Sequence, residues 1–177
     1  MSAAPATALV VDDESMVRML VRRMLEPDLC AVVEADNGEA ALRLIELGQP
    51  AIDVVLTDLV MPGIDGFDIV QVLARHRPEL PVVCMSGFAA ASRERLTVPF
   101  VPKPFSLETL RGALEPCIAR SRKLRQQAVD GRHQAGAGRA VSEGPRRISD
   151  AALVEALDLV AAALELRRQR AEPPRAS

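Results

Sequence analysis

The amino-acid sequence predicts an α/β fold in which a five-stranded, doubly wound parallel sheet is flanked by helices. Five short apolar segments alternate with segments whose apolar residues recur at helical spacing. The connections between them are short, and polar residues follow several of the apolar segments. Strands that alternate with helices are typical of a parallel sheet covered by helices on both faces. The 177 residues therefore suffice for one such domain and an appendage.

The first half of the chain contains three predicted strands and three predicted helices. The strands are predicted over 8–11, 29–34 and 52–57, and the helices over 15–25, 39–47 and 67–76. Pro27, Gly48 and Pro78 follow the three helices and are typical residues for ending them. The third strand is continuously apolar and too short for a helix, which predicts that it is buried on both faces. It leads into Asp58, which is therefore expected where a buried strand emerges into a loop.

The second half of the main body supplies two more strands, predicted over 80–85 and 98–101. Pro99 interrupts the last strand and predicts that it lies at an edge of the sheet. The segment 88–96 has weak periodicity, so at most a short helix is expected there. Ser106 is a typical N-cap for a final helix that reaches at least to Ala119.

The charge distribution separates the main body from a tail. Residues 1–119 contain ten Lys and Arg against seventeen Asp and Glu, whereas residues 120–147 contain eight against two. The basic stretch has no hydrophobic period, which predicts a flexible linker, and it has no aromatic residue to stack on bases, so we expect no nucleic-acid binding. After it, Leu153, Leu157, Val160 and Leu164 form a stripe that predicts an amphipathic helix.

These patterns predict five segments along the chain. The expected bounds are a tail over 1–6, the α/β domain over 7–122, a flexible basic linker over 123–148, a helix over 149–170 and a disordered end over 171–177. The helix has too few heptads for an ordinary coiled coil. Docking on its own domain, pairing in a homodimer and binding a protein target all stay open for it.

The cysteines and the N-terminal residues indicate the cellular compartment. Cys30, Cys84 and Cys117 are odd in number and widely spaced, which favours reduced thiols over disulfides or a zinc site. The sequence shows neither a signal peptide nor a membrane-spanning segment. We expect a cytoplasmic protein that does not bind membranes.

Polar residues of complementary chemistry follow four of the predicted strands. Asp12 and Asp13 follow the first, Asp58 the third, Ser86 the fourth and Lys103 the fifth. The carboxyl ends of parallel strands meet at one edge of the sheet, so we expect these residues to converge. Clustered carboxylates repel one another unless a hard cation neutralises them, and Mg²⁺ suits such oxygen ligands.

In these motifs the chain resembles the receiver domain of two-component response regulators, the CheY-like superfamily. The resemblance covers about residues 7–120 and rests on the acids after the first strand, the run from Asp58 to Gly66, Ser86-Gly87 and Lys103-Pro104. It implies the flavodoxin-like strand order 2-1-3-4-5. It also implies that Asp58 accepts a phosphoryl group from a phosphohistidine on a histidine kinase or a histidine-phosphotransfer protein.

The same resemblance implies a set of ligands for Mg²⁺. Asp13, Asp58 and the backbone carbonyl of Val60 would hold the ion, and Asp12 would act through a coordinated water. Lys103 would pair with a phosphoryl oxygen, and the peptide bond before Pro104 is expected to be cis.

Two further residues are implied to respond to the phosphoryl group. The Ser86 hydroxyl would hydrogen-bond to it, and Phe100 stands where the family has a switch aromatic residue. An ordinary core phenylalanine is an equal alternative for Phe100. The short spacing from Ser86 to Lys103 departs from the family pattern and leaves the usual output surface in question.

Two other classes compete with this phosphoacceptor hypothesis. A receiver-like adaptor that acts by protein binding alone would have little use for the intact set of acids, serine and lysine. A hydrolase of the haloacid dehalogenase type would place its nucleophile in an Asp-x-Asp motif on the first strand. Here such a motif would begin at Asp12, but its third residue is Glu14. We therefore expect a signalling phosphoacceptor that catalyses only its own phosphorylation and dephosphorylation and is not an enzyme in the ordinary sense.

Overall fold

The structure is a computed structural model, and it describes residues 5–26, 29–87, 97–135 and 158–166. The elements of the first half are β1 (Ala6–Val11), α1 (Ser15–Leu25), β2 (Cys30–Ala35), α2 (Gly38–Leu47), β3 (Val54–Asp58) and α3 (Gly66–His76). The second half contributes β4 (Val82–Ser86), β5 (Phe100–Pro102), α4 (Leu107–Ala135) and α5 (158–166). All five predicted strands are present, with bounds that differ by at most two residues from the predicted ones.

The five strands form one parallel sheet in the order β2-β1-β3-β4-β5. This arrangement confirms the doubly wound fold and the strand order that the resemblance implied. Register fixes which strand ends are neighbours: Val11 lies opposite Thr57, and Asp58 lies opposite Met85. Because every strand runs the same way, the loops after β1, β3, β4 and β5 share one edge, the carboxyl edge of the sheet.

The sheet is buried on both faces by aliphatic side chains. Leu9, Val55 and Cys84 point towards the side of α2 and α3, whereas Val10, Leu56 and Met85 point towards the side of α1 and α4. Successive residues of a strand point to opposite faces, so a strand that is covered on both sides must be apolar throughout. The continuous apolar sequence of β3 is explained by this position.

The three cysteines are free and buried, as predicted for reduced thiols. Burial raises the pKa of the Cys30 thiol to about 11. Burial, together with the nearby charge of Asp58, raises the pKa of Cys84 to about 12. All the thiols are therefore protonated near neutral pH.

The linker does not begin at residue 123, because α4 continues to Ala135. Its Lys, Arg, Gln and Ala residues favour helix even without a hydrophobic period. The extension is also anchored: Arg125 Nη2 donates to the carbonyl oxygen of Ile52 at 2.6 Å and pairs with Asp53 at 3.1 Å. The rest of the predicted linker and the predicted helix over 88–96 lie outside the described residues.

The structure describes 158–166 of the helix predicted over 149–170, and these residues are helical. Leu159 and Ala163 are buried in the core on the side of α2 and α3, while Val160 packs against it. Leu164, another member of the predicted apolar stripe, is 44% exposed. Within the described ranges, every helix is too short or too polar to span a bilayer.

Candidate functional site

Asp58 is the last residue of β3, and its side chain is held at the carboxyl edge of the sheet. The residue is 7% exposed, and its Oδ1 accepts a hydrogen bond from the amide of Val60 at 3.2 Å. The following loop returns closely to the strand: a Cβ on Gly66 would collide with the carbonyl oxygen of Asp58. Gly63 has a φ of 80°, which favours glycine. Gly63 and Gly66 are therefore required by the tight path of this loop.

The acids after β1 lie beside Asp58 and have different environments. Asp12 is fully buried, and its Oδ1 accepts a hydrogen bond from the amide of Glu14 at 2.9 Å. Asp13, in contrast, is exposed. Carboxylate oxygens of Asp12, Asp13 and Asp58 all lie within 4.8 Å of one another. The sequence prediction that these acids converge is confirmed.

Lys103 completes the cluster from the far side of the sheet. Its Nζ lies 2.7 Å from Asp12 Oδ2 and 2.7 Å from Asp58 Oδ2. Its amide donates to the carbonyl oxygen of Ser86 at 2.9 Å, which ties the loop after β5 to the end of β4. The Lys103–Pro104 peptide bond is cis, as the resemblance implied.

The ammonium group of Lys103 remains charged in this position. Partial burial alone would lower its pKa, but the hydrogen bonds and charges of Asp12 and Asp58 outweigh that effect and raise the pKa above its ordinary value. The ammonium group pairs with Asp12 and Asp58, and Asp13 lies beside them, so one positive charge stands against three carboxylates and two negative charges stay uncompensated among these four side chains. A divalent cation has the matching charge, and carboxylates are ligands that Mg²⁺ prefers. The donor set therefore fits Mg²⁺.

The two predicted response residues lie farther along β4 and β5. Ser86 is the last residue of β4 and is 1% exposed. Phe100 is half-buried and packs against the core on the side of α2 and α3. Ser86 thus ends its strand and Phe100 begins the neighbouring one, and the response of either residue to a phosphoryl group stays a prediction. The Val60 side chain is exposed, and the role of its carbonyl oxygen also stays a prediction.

Sequence reasoning missed the contribution of Arg18. Its Nη1 donates to the carbonyl oxygen of Asp12 at 2.7 Å, and its Nε lies 3.3 Å from Glu34 Oε2. This side chain therefore fixes the backbone of the acid loop against β2. The sequence feature that could have predicted this contact is the position of Arg18 in the first turn of the helix that follows the acids.

Comparison with known proteins agrees with this geometry. The family model of the response regulator receiver domain matches residues 8–115, which is most of the chain. An acid cluster at the carboxyl edge of a five-stranded parallel sheet, with a lysine from the fifth strand end, defines a receiver-type site. The chain belongs to the response regulator receiver domain family.

Relatives with this domain differ in the rest of their architecture. The transcriptional regulatory protein PdtaR of Mycobacterium tuberculosis is 32% identical over 129 residues, which cover 70% of this chain and 62% of that protein. The sensor kinase CckA of Brucella abortus is 37% identical over 111 residues, which cover 59% of this chain and 12% of that protein. The chain thus spans less than two thirds of the length of either relative.

A solved structure shows the same fold. The response regulator receiver domain protein from Clostridium thermocellum superposes with a TM-score of 0.61 at 29% identity, covering 67% of this chain and 98% of that one. The likeness covers two thirds of this chain and supports the fold.

Proposed function

We propose that this protein is a phosphoacceptor of a two-component or phosphorelay pathway, and that Asp58 carries the phosphoryl group. One observation supports this proposal above the others: three strand-end carboxylates converge within 4.8 Å, and one lysine binds two of them. A binding-only adaptor would gain nothing from this arrangement of like charges, which is unfavourable without a cation.

The chemistry assigned to Asp58 is nucleophilic substitution at phosphorus. A carboxylate oxygen attacks the phosphorus atom of a phosphohistidine on a histidine kinase or phosphotransfer protein, and forms an acyl phosphate. The bond between phosphorus and the imidazole nitrogen breaks, and its electron pair stays on the nitrogen. The Lys103 ammonium group, already directed at Asp58, then pairs with a phosphoryl oxygen.

The residues that would hold Mg²⁺ are Asp12, Asp13 and Asp58, with the backbone carbonyl of Val60. When bound, the ion neutralises the charge that the attacking carboxylate and the phosphoryl oxygens bring together. The exposure of Asp13 leaves this side of the site open to solvent, whereas Asp12 is enclosed. A phosphoryl donor would therefore approach from the side of Asp13.

Ser86 and Phe100 are assigned the response to phosphorylation. The Ser86 hydroxyl would hydrogen-bond to the attached phosphoryl group and move the end of β4 inward. Phe100 pairs in register with Cys84, two residues before Ser86, so a shift of β4 reaches it directly. The proposed result is a reorientation of Phe100 and a changed surface beside β5.

The test is the intact mass of the full chain after incubation with acetyl phosphate and Mg²⁺. We expect the mass of one phosphoryl group to appear in the wild type and to be absent from Asp58→Asn and from samples with EDTA. Asp36→Asn is the matched control, because Asp36 follows β2 at the same edge of the sheet but is exposed and outside the cluster. It should be phosphorylated like the wild type.

Two results would contradict the proposal. Phosphorylation of Asp58→Asn to the wild-type extent would place the acceptor elsewhere. A folded wild-type protein that gains no mass with Mg²⁺ and acetyl phosphate would favour the adaptor hypothesis.

A further inference from the structure

The short helix α5 occupies a defined place on the receiver body. Leu159 is 2% exposed and Ala163 is fully buried, and both belong to the core cluster that contains Val72 of α3 and Cys84 of β4. Ala162 and Leu166 face Gln71, Arg75 and His76 of α3 across a shared cavity of about 450 Å³. The helix therefore docks along the outer side of α3, over the face of the sheet to which β4 contributes.

The charges of the two helices are compatible with this contact. The described part of α5 carries two acids, Asp158 and Glu165, and no basic residue. The facing end of α3 carries Arg75 and His76. These basic residues also suit the C-terminal dipole of α3.

The contact is also small. Among the described residues of α5, the side chains of Leu159 and Ala163 alone are fully buried, and a cavity remains between α5 and α3. Modest changes in the underlying surface are therefore sufficient to shift the docking equilibrium.

A short path of β contacts links this surface to Asp58. Asp58 lies opposite Met85 of β4, and the neighbouring Cys84 lies opposite Phe100 of β5. Cys84 belongs to the cluster that contains Leu159, and Phe100 packs against that cluster. A movement of β4 at the site therefore changes the packing under α5.

We propose that α3 and the β4–β5 part of the sheet form a helix-docking surface, which α5 of the same chain occupies in the resting protein and leaves when Asp58 is phosphorylated. This inference rests on the proposed function, since it names the regulation of the same site. The structural reason is that inward movement of Phe100 withdraws apolar surface from the cluster that holds Leu159 and Ala163.

Hydrogen exchange of the full chain, followed by mass spectrometry, tests this directly. Peptides that cover 158–166 should be protected in the resting protein with Mg²⁺, because the amides of a docked helix exchange only when the contact opens. Acetyl phosphate should accelerate their exchange at least about tenfold in the wild type and leave Asp58→Asn unchanged. Intact mass, read from the same samples, reports phosphorylation separately.

A matched pair of variants separates docking from helix formation. Leu159→Asp should remove the protection of 158–166 without acetyl phosphate, whereas Leu164→Asp, on the exposed side of the same helix, should keep it. Coupling between two sites is reciprocal. Leu159→Asp should therefore also raise the phosphorylated fraction at limiting acetyl phosphate, and Leu164→Asp should not.

The outcomes are distinguishable. A mass gain without faster exchange of 158–166 would overturn this inference and leave the proposed function standing. No mass gain in the folded wild type would overturn both. Protection of 158–166 that disappears on dilution would show that α5 docks on a second copy, and would overturn the assignment to the same chain.

Discussion

The two edges of the sheet each hold a buried aspartate beside basic side chains, yet they balance charge differently. At the carboxyl edge, Lys103 pairs with Asp12 and Asp58, and Asp13 adds a third carboxylate beside them. At the amino edge, Asp53 is 4% exposed and pairs with Arg125 at 3.1 Å and Arg122 at 3.8 Å. Its other oxygen accepts a hydrogen bond from the amide of Thr7 at 2.9 Å.

This difference distinguishes a structural acid from a functional one. Asp53 is saturated with partners that the chain supplies itself, and it joins β1, β3 and the extended part of α4. The cluster of Asp12, Asp13 and Asp58 keeps an excess of negative charge that a ligand must neutralise. Burial of an aspartate alone therefore says little about function, whereas the balance of charge around it is informative.

Replacement at the amino edge should have the largest effect on stability. Asp53→Ala should lower the free energy of unfolding by about 2–3 kcal/mol, because it leaves the amide of Thr7 without its acceptor and removes the carboxylate that pairs with Arg122 and Arg125. Urea denaturation of the full chain measures this. Asp36→Ala, at an exposed position, should change the free energy by less than about 0.5 kcal/mol. Equal losses of unfolding free energy in Asp53→Ala and Asp36→Ala would contradict the structural role of Asp53.

Replacement at the carboxyl edge should have the opposite sign in the absence of metal. Asp13→Asn should raise the free energy of unfolding by about 0.5–1 kcal/mol in EDTA, because it relieves repulsion among the three carboxylates. Millimolar Mg²⁺ should stabilise the wild type and stabilise the variant much less, since the ion binds only the folded cluster. Urea denaturation with and without Mg²⁺ gives both values. A variant less stable than the wild type in EDTA would show that the cluster is not under electrostatic strain.

Glu34 pairs with two arginines, as Asp53 does, but is less buried. It therefore tests whether such pairing stabilises the fold without burial. Glu34 lies between Arg22 at 2.6 Å and Arg18 at 3.3 Å, on the more exposed side of β2 and α1. The hydrogen bond from Arg22 outweighs the cost of partial burial and lowers the pKa of Glu34. Solvent screens such pairs, so Glu34→Gln should cost only about 0.5 kcal/mol near pH 7.

The pH dependence of that small effect has a defined sign. A depressed pKa in the folded state contributes stability that is present above the ordinary value of 4.5 and is lost as the pH falls through the lower folded value. The wild type and Glu34→Gln should therefore converge in stability at acidic pH. Urea midpoints measured from about pH 7 down to about pH 3 follow this convergence. If the stability difference between the wild type and Glu34→Gln persisted unchanged at acidic pH, it would arise from packing and not from charge.

The sequence was sufficient for the sheet and for most of the site because both depend on short local patterns. An apolar strand followed by Asp58 and a Pro-Gly turn can be interpreted without knowledge of distant contacts, and parallel topology then brings the strand ends together. The extension of α4 could not be predicted in this way. It depends on Arg125 meeting Ile52 and Asp53, residues more than seventy positions away in the chain.

The residues of α5 that are buried depend on distant contacts in the same way. Helical spacing indicates that a helix has an apolar side, but the partner surface decides which residues are buried. Leu164 satisfies the spacing and is exposed, whereas Ala163 contributes little apolar area and is fully buried against the body.

The three buried thiols also make the protein convenient for site-specific labelling. Maleimide reagents react with thiolates, and burial keeps Cys30, Cys84 and Cys117 both protonated and inaccessible. A cysteine introduced at an exposed position such as Leu164 would therefore react far faster than the native ones. A fluorophore or spin label can be attached to α5 without removing any cysteine from the core.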